Sequence, residues 1–389
     1  MDHTGTGIQL TFYQLKRSSA EAAGNNEHWL TGLLVLCLTL CSATNALGQS
    51  AEKNEWQKVV RDSPYWVSKG AFYNLKTIRR WVLNSESFCG NKERHILFDK
   101  SATFLGYVND AGSSEATQIK LNRERKNLAE SGKANVWVMG APDVAGYPFA
   151  LSCNQPDAQL AVSLDRYFGR DKSARLWGTW DGMRIGDTNN KVSLHEAISI
   201  VYKKRLNQGR ISLPPSILAT LAGKTLIESG GQKTAHSAAD ARGIMQLSRA
   251  ALKDCGLSEK FHFHRMAQID CALKLMEQNH RNLKPVFDQV FKHLPKNKSD
   301  QLYSLLLIQA YHGGVGRVSQ IISDPAVQKA AQYFAKNQRH FSAGDIALGL
   351  VFHNLGREQL GFASLYYLAD VAVATELACK TKPTIPGCK

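Results

Sequence analysis

From Ser193 to about Thr375 the 389-residue chain reads as one helix after another, and this run restricts the fold more than any other feature. Ser193-Leu194-His195-Glu196 is an S-x-x-E capping box, in which the two polar side chains satisfy backbone N–H groups left open at a helix start. The helix it opens is predicted to reach about Asn207, with Gly209 as its stop. Pro214-Pro215 begins a second helix that continues through Ser229. Further helices are expected over 243–255, 267–283, 299–311, 318–337, 342–352 and 364–377. The turn-rich stretch 181–191, DGMRIGDTNNK, precedes this unit, whose limits are taken as 190–378. The tail 379–389 reads as irregular and pinned by Cys388.

Residues 51–185 have a mixed pattern. A helix is expected over 66–83, with Trp66, Phe72, Ile78 and Trp81 among its apolar positions. A very polar helix is expected over 115–131, its basic run forming a solvated face. Short strand-like runs follow at 136–139, 149–153, 160–164 and 175–180, separated by Gly, Asp and Asn. They suggest a small β-rich unit of the open-barrel kind, whose role the sequence leaves open. The fold class is therefore α+β, with a mostly helical domain preceded by a smaller, β-containing one.

Residues 28–51 carry no charge when His is counted as neutral. Their apolar part, 29–41, is followed by small residues ending at Ala46. Residues 1–46 thus read as a secretory signal cut after Ala46, or as an uncleaved membrane anchor. Cysteine usage agrees with export. Beyond Cys37 and Cys41 in that leader, six remain, an even number that suggests disulfides. Nearest-neighbour pairing gives Cys89–Cys153, Cys255–Cys271 and Cys379–Cys388, and no CxxC spacing points to zinc or redox chemistry. The expected location is the periplasm or cell envelope. Hydrophobic residues at 43% and charged residues at 21% exclude wholesale disorder and a multi-span membrane protein. The excess of 48 Lys and Arg over 33 Asp and Glu, a net charge of +15, calls for an anionic partner. Export turns that expectation from nucleic acid toward an acidic polymer.

Glu228 is the most informative single residue. It ends the apolar helix ILATLAGKTLIES and precedes Gly230-Gly231. The negative end of the helix dipole and apolar neighbours both penalise an ionised carboxylate there. A carboxyl that keeps its proton near neutral pH is what a general acid needs to protonate a glycosidic oxygen. The plain alternative is a helix-end glutamate that reaches water. Two further segments add weight. Ala241-Arg242-Gly243-Ile244-Met245-Gln246-Leu247 follows, with Gly243 15 residues beyond Glu228, and Ala310-Tyr311-His312-Gly313-Gly314-Val315-Gly316-Arg317 comes later.

In this order these segments resemble the ES, GLMQ and AYN motifs of the lytic transglycosylases that carry the soluble lytic transglycosylase (SLT) domain, over roughly 211–377. The resemblance implies a lysozyme-like helical domain that cleaves peptidoglycan glycan strands without a cofactor or metal. It implies Glu228 as the single acid/base and Ser229 as the neighbour that positions sugar and acid. Met245 and Gln246 become groove-lining contacts to glycan, and Tyr311 a tyrosine close to the acid. Tyr367 is similar to a later tyrosine from the closing helix. Ordinary core or half-buried positions are the plain readings of these residues. Three departures stand out: Gly231-Gln232-Lys233 where an aromatic or other side chain followed by Asn-Pro is usual, which points to a more mobile loop after the acid, His312 for Asn, and Val315 for a frequent Pro. Two alternatives remain open at this point. One is a non-catalytic wall-binding or scaffold module, and the other a lysozyme-type hydrolase in which Asp240 holds a water. Chitin is a further substrate option. Multidomain enzymes of this kind often serve wall recycling or a secretion, conjugation or flagellar machine. The alternating Phe261-His262-Phe263-His264 resembles half a metal site but lacks an evident partner.

Overall fold

The computed structural model describes residues 55–84, 89–155, 159–357 and 360–388. The apolar run at 29–41, and with it the question of signal or anchor, lies outside the described residues. The first half contains α1 (Glu55–Arg61), α2 (Ala71–Asn84), β1 (Arg94–Phe98), β2 (Phe104–Asn109), α3 (Ser114–Glu130), β3 (Phe149–Ser152), α4 (Leu160–Phe168), β4 (Gly178–Trp180) and β5 (Met183–Ile185). The second contains α5 (Leu194–Asn207), α6 (Ile217–Ser229), α7 (Arg249–Asp254), α8 (Arg265–Phe291), α9 (Lys296–Gly313), α10 (Val315–Ser323), α11 (Lys329–Lys336), α12 (Ala343–Phe352) and α13 (Phe362–Thr381). The molecule is mostly helical with small sheets in its amino-terminal half.

The expected capping box is formed: Ser193 and Glu196 each bond the other's backbone N–H at the start of α5. Several boundaries differ for local reasons. The expected helix 318–337 is two helices, α10 and α11, broken at Asp324-Pro325, because proline disfavours helical geometry in the residue before it. The expected helix 243–255 shortens to α7, since Gln246 takes a left-handed φ of +47° and Ser248 caps the helix that follows. Conversely, α8 runs through Pro285, with Leu283, Phe287 and Phe291 buried along it.

Among the described residues the amino-terminal half forms no barrel. It holds a three-stranded antiparallel sheet, ordered β2-β1-β3, and a separate β4–β5 hairpin. β3 falls where a strand was expected, but β1 and β2 were not anticipated. The run at 136–139 contributes only an isolated bridge, Val138 to Tyr147. The expected strand at 160–164 is the start of α4, whose buried Leu160, Ser163 and Tyr167 recur at helical spacing.

The two halves share their apolar packing. Phe98 and Phe149 of the sheet meet Tyr366 and Phe362 at the start of α13. α2 lies against α13, and Arg79 on α2 forms a fully buried two-bond ion pair with Asp370 at 2.7 and 2.8 Å. The β4–β5 turn is held to α5 and α8 through Arg205, which bonds both Asp181 and Asp270, and through Trp180 to Asp270. Three disulfides close the structure: Cys89–Cys153, Cys255–Cys271 and Cys379–Cys388. These are the nearest-neighbour pairs expected from the sequence, and the last pins the tail to α13. Such bonds fit an extracytoplasmic protein.

Among the described residues, α13 is the one helix long and apolar enough to cross a membrane. It is instead the central helix of the fold, lying between α2 and α6. Its approach to α6 is so close that a Cβ on Gly223 would collide with Thr375 Oγ1 and the Val371 carbonyl. This crossing positions the residues described next.

Candidate active site

α6 is buried on nearly every side. From Leu221 to Gly230, Glu228 is the one residue that is not fully enclosed, with its side chain 18% exposed. The helix ends at Gly230, which takes φ +57° and returns its N–H to the Leu226 carbonyl. Glycine enters this left-handed turn without the Cβ penalty. The turn is what brings the chain off the helix one residue after Ser229.

Ser229 is fully buried. Its hydroxyl donates to the Ile244 carbonyl at 2.8 Å and accepts from the Gly231 N–H at 3.1 Å. It therefore ties the end of α6 to the segment 243–247. Met245 is also enclosed, and its N–H is held by Gln268 Oε1 at 3.0 Å. Neither side chain faces solvent: Ser229 bonds the loop under Glu228, and Met245 is packed within it. Gln246 is half-buried, and its amide donates to the carbonyls of Ala235 and Gly243 at 3.2 and 2.9 Å.

Tyr367 reaches across from α13 and donates to Glu228 Oε1 at 2.7 Å. Its ring stacks on that of His312 with centroids 4.2 Å apart. Burial pushes the His312 imidazole down to about 4, against the opposing pull of the Glu228 carboxylate, so the ring is neutral near pH 7. Tyr311, half-buried at the end of α9, donates to the Met245 carbonyl at 3.5 Å. Burial and the adjacent Glu228 carboxylate push its hydroxyl well above the ordinary tyrosine range.

Sequence reasoning missed Lys224. It lies one turn before Glu228 on α6, fully buried, with Nζ 3.6 Å from Glu228 Oε1. The ammonium stands 3.9 Å from the centre of the Tyr311 ring and donates to the Met245 carbonyl at 3.3 Å. A lone cation four residues before the acid in an otherwise apolar helix was the available signal. Gln268 was missed as well, and also Arg166, which donates to the Gly230 carbonyl from α4 at 2.9 Å. Neither had a local sequence signature, because each acts on a segment distant in the chain.

Asp240 is occupied differently. Its carboxylate pairs with Arg242 at 2.9 Å, His236 at 2.6 Å and Arg249. Arg242 and then His236 hold its carboxyl well below the usual carboxylate range, and Arg249 adds to the effect. His264 caps α8, accepting from the Ala267 N–H, while His262 Nδ1 contacts Arg242. Among the described residues, no three His, Cys, Asp or Glu side chains gather as a metal site.

A carboxylate with a small exposed fraction at the end of a buried helix, set over a glycine-led loop and against a tyrosine from a closing helix, is an arrangement suited to glycoside chemistry. Residues 206–334 match the family model of the transglycosylase SLT domain, so the helical carboxy-terminal half contains that domain. The match takes in Glu228, Gln246 and Tyr311 and ends before α12, leaving Tyr367 outside it. A search among curated proteins gave no match.

Proposed function

We propose that this protein is a peptidoglycan lytic transglycosylase with Glu228 as its single acid/base. The observation that carries the reading is Glu228 itself, held by Tyr367 and reaching the surface from a buried helix within the SLT domain. The SLT family implies peptidoglycan as the substrate class.

Glu228 gives its proton to the oxygen that links N-acetylmuramic acid to N-acetylglucosamine. The bond from that oxygen to the anomeric carbon breaks, through an oxocarbenium-like transition state that the substrate's own N-acetyl group can assist. The Glu228 carboxylate then takes the proton of the muramoyl 6-hydroxyl, whose oxygen bonds to the anomeric carbon. A 1,6-anhydro end results, water is not consumed and Glu228 regains its proton. Tyr311 stands beside Glu228 at the end of α9, and Gln246 is the residue of the loop that the motif assigns to glycan contact. Ser229 and Met245 act through the loop they hold.

A hydrolase reading needs a second carboxylate to activate water. Asp240 is the candidate from sequence, and its hydrogen bonds to Arg242, His236 and Arg249 make it a weak base. The test is mass spectrometry of the products from purified peptidoglycan. The parent and Asp240→Asn are both expected to give anhydro-muropeptides, each one water lighter than the hydrolytic product. Glu228→Gln is expected to lose about 10²–10⁴-fold in rate. Reducing ends, lost in Asp240→Asn, would establish hydrolysis instead. Full activity in Glu228→Gln would remove both enzyme readings as assigned to Glu228, whereas no products from the parent or from Glu228→Gln would favour a wall-binding module.

A further inference from the structure

We propose that Lys224 is a positioning residue for Glu228, its ammonium sharing Oε1 with the Tyr367 hydroxyl so that Oε2 is the oxygen that carries and delivers the proton. The inference rests on the acid/base reading of Glu228 and goes beyond it in assigning the two carboxyl oxygens.

Both Tyr367 Oη, at 2.7 Å, and Lys224 Nζ, at 3.6 Å, approach the same oxygen. A hydroxyl donor and a cation favour negative charge on the atom they face. A proton on Oε1 would confront both, so it resides on Oε2. The lysine cannot swing away to water, because it is fully buried, lies over the Tyr311 ring and is bonded to the Met245 carbonyl. A buried ion pair is a weak stabilising device, and an apolar side chain of similar size often serves stability as well or better. The chemistry supplies a use for the charge. Burial pulls the Lys224 ammonium below its ordinary value and the Glu228 carboxylate opposes that pull, so the lysine holds its charge most firmly as Glu228 releases its proton. It then stabilises the carboxylate that forms, and the same carboxylate acts as the base.

Other charged or titratable groups face this position from each packed element. Tyr367 comes from α13, and Tyr311 and His312 from α9. Arg317 of α10 acts on His312, and Arg166 of α4 binds the Gly230 carbonyl. Of these, Lys224 is the cation that pairs with Glu228.

A positive charge beside a carboxylate eases loss of its proton, so removing the charge of Lys224 is expected to move the alkaline limb of the activity profile to higher pH. The experiment is the pH dependence of kcat/KM for the full chain on purified peptidoglycan, in the parent, Lys224→Met, Lys224→Gln and Lys224→Arg. Both neutral variants are expected to move that limb upward by about one pH unit or more and to lower the maximal rate about tenfold. Lys224→Arg is expected to keep the limb near that of the parent. A purely structural lysine would change the unfolding midpoint and leave the limb unmoved. That result, in whichever neutral variant folds, overturns the proposal. Glu228→Gln, measured alongside, keeps the two failures apart. If it is active the acid/base reading falls, whereas an inactive Glu228→Gln with an unmoved limb removes the role of Lys224 alone.

Discussion

At the scale of single residues, Tyr367 offers the cleanest separation of chemistry from packing. Its ring is stacked on His312, and its hydroxyl is bonded to Glu228. Tyr367→Phe keeps the first contact and removes the second. A hydrogen bond to a charged group contributes about 1.5–3 kcal/mol, which converts to a loss in kcat of roughly ten- to a hundredfold. The thermal midpoint is expected to change by no more than a few degrees, because the ring stays in place. A steady-state assay with a parallel thermal melt reads both, and an unchanged kcat would mean that the bond does not persist in the working enzyme. The candidate site was legible in part. Glu228 could be found because an acidic residue at the end of an apolar helix is costly without a purpose. Its link to Tyr367 could not be fixed, because 139 residues separate them and only the crossing of α6 with α13 brings them together. Lys224 carried a visible signal, its solitary charge, but i,i+4 spacing alone does not distinguish a solvated pair from an enclosed one.

At the scale of elements, α4 shows why the role of the amino-terminal half was hard to see in the sequence. The loop after Glu228-Ser229 has Gly231-Gln232-Lys233 in place of the family's stiffer Asn-Pro segment. In the structure, α4 braces it. Arg166 binds the Gly230 carbonyl, Leu194 of α5 and Tyr167 border Gly231, and a Cβ on Gly230 would strike Ser163. The support thus comes from a helix that alternation over five residues had suggested was a strand. A short window cannot separate period 2 from the 3.6-residue repeat that buries Leu160, Ser163 and Tyr167. By contrast, the capping box at Ser193 was readable, because all of its chemistry lies within four adjacent residues. Arg166→Ala is expected to lower kcat about tenfold with little change in KM, since the glutamate shifts while the outer groove remains. Loss of the single bond is expected to cost about 1 kcal/mol in unfolding free energy. Equal kcat in the two proteins would show that the brace is dispensable for catalysis.

At the scale of the whole molecule, the two halves are joined by buried groups that tolerate little change in charge, and acid stability reads this directly. His195 on α5 and His353 after α12 lie under a tenth exposed, and burial pushes each from its ordinary 6.5 down to about 4. His312 is lowered to about 4 as well, and His264 and His280 move in the same direction. Between pH 4 and 6.5 the unfolded chain therefore binds protons that the folded protein refuses. Folding stability must rise with pH across this window and be lost as pH falls through it. Each fully shifted histidine contributes a slope of up to ~1.4 kcal/mol per pH unit. Carboxylates with lowered values, such as Glu196 and Glu277, act mainly below their ordinary 4.5, which leaves the interval from pH 5 to 6.5 to the histidines. His353 is the position to replace, because its ring packs edge-on to Tyr65 at 4.7 Å and beside Phe352, surroundings that accept a phenylalanine. Urea unfolding with the disulfides intact is expected to show a steep fall in free energy from pH 6.5 to pH 5 in the parent and a shallower one in His353→Phe. The difference in slope should approach one proton. A flat profile in the parent would mean that these histidines gain solvent or a counter-charge in the folded protein, and identical slopes would exempt His353 alone.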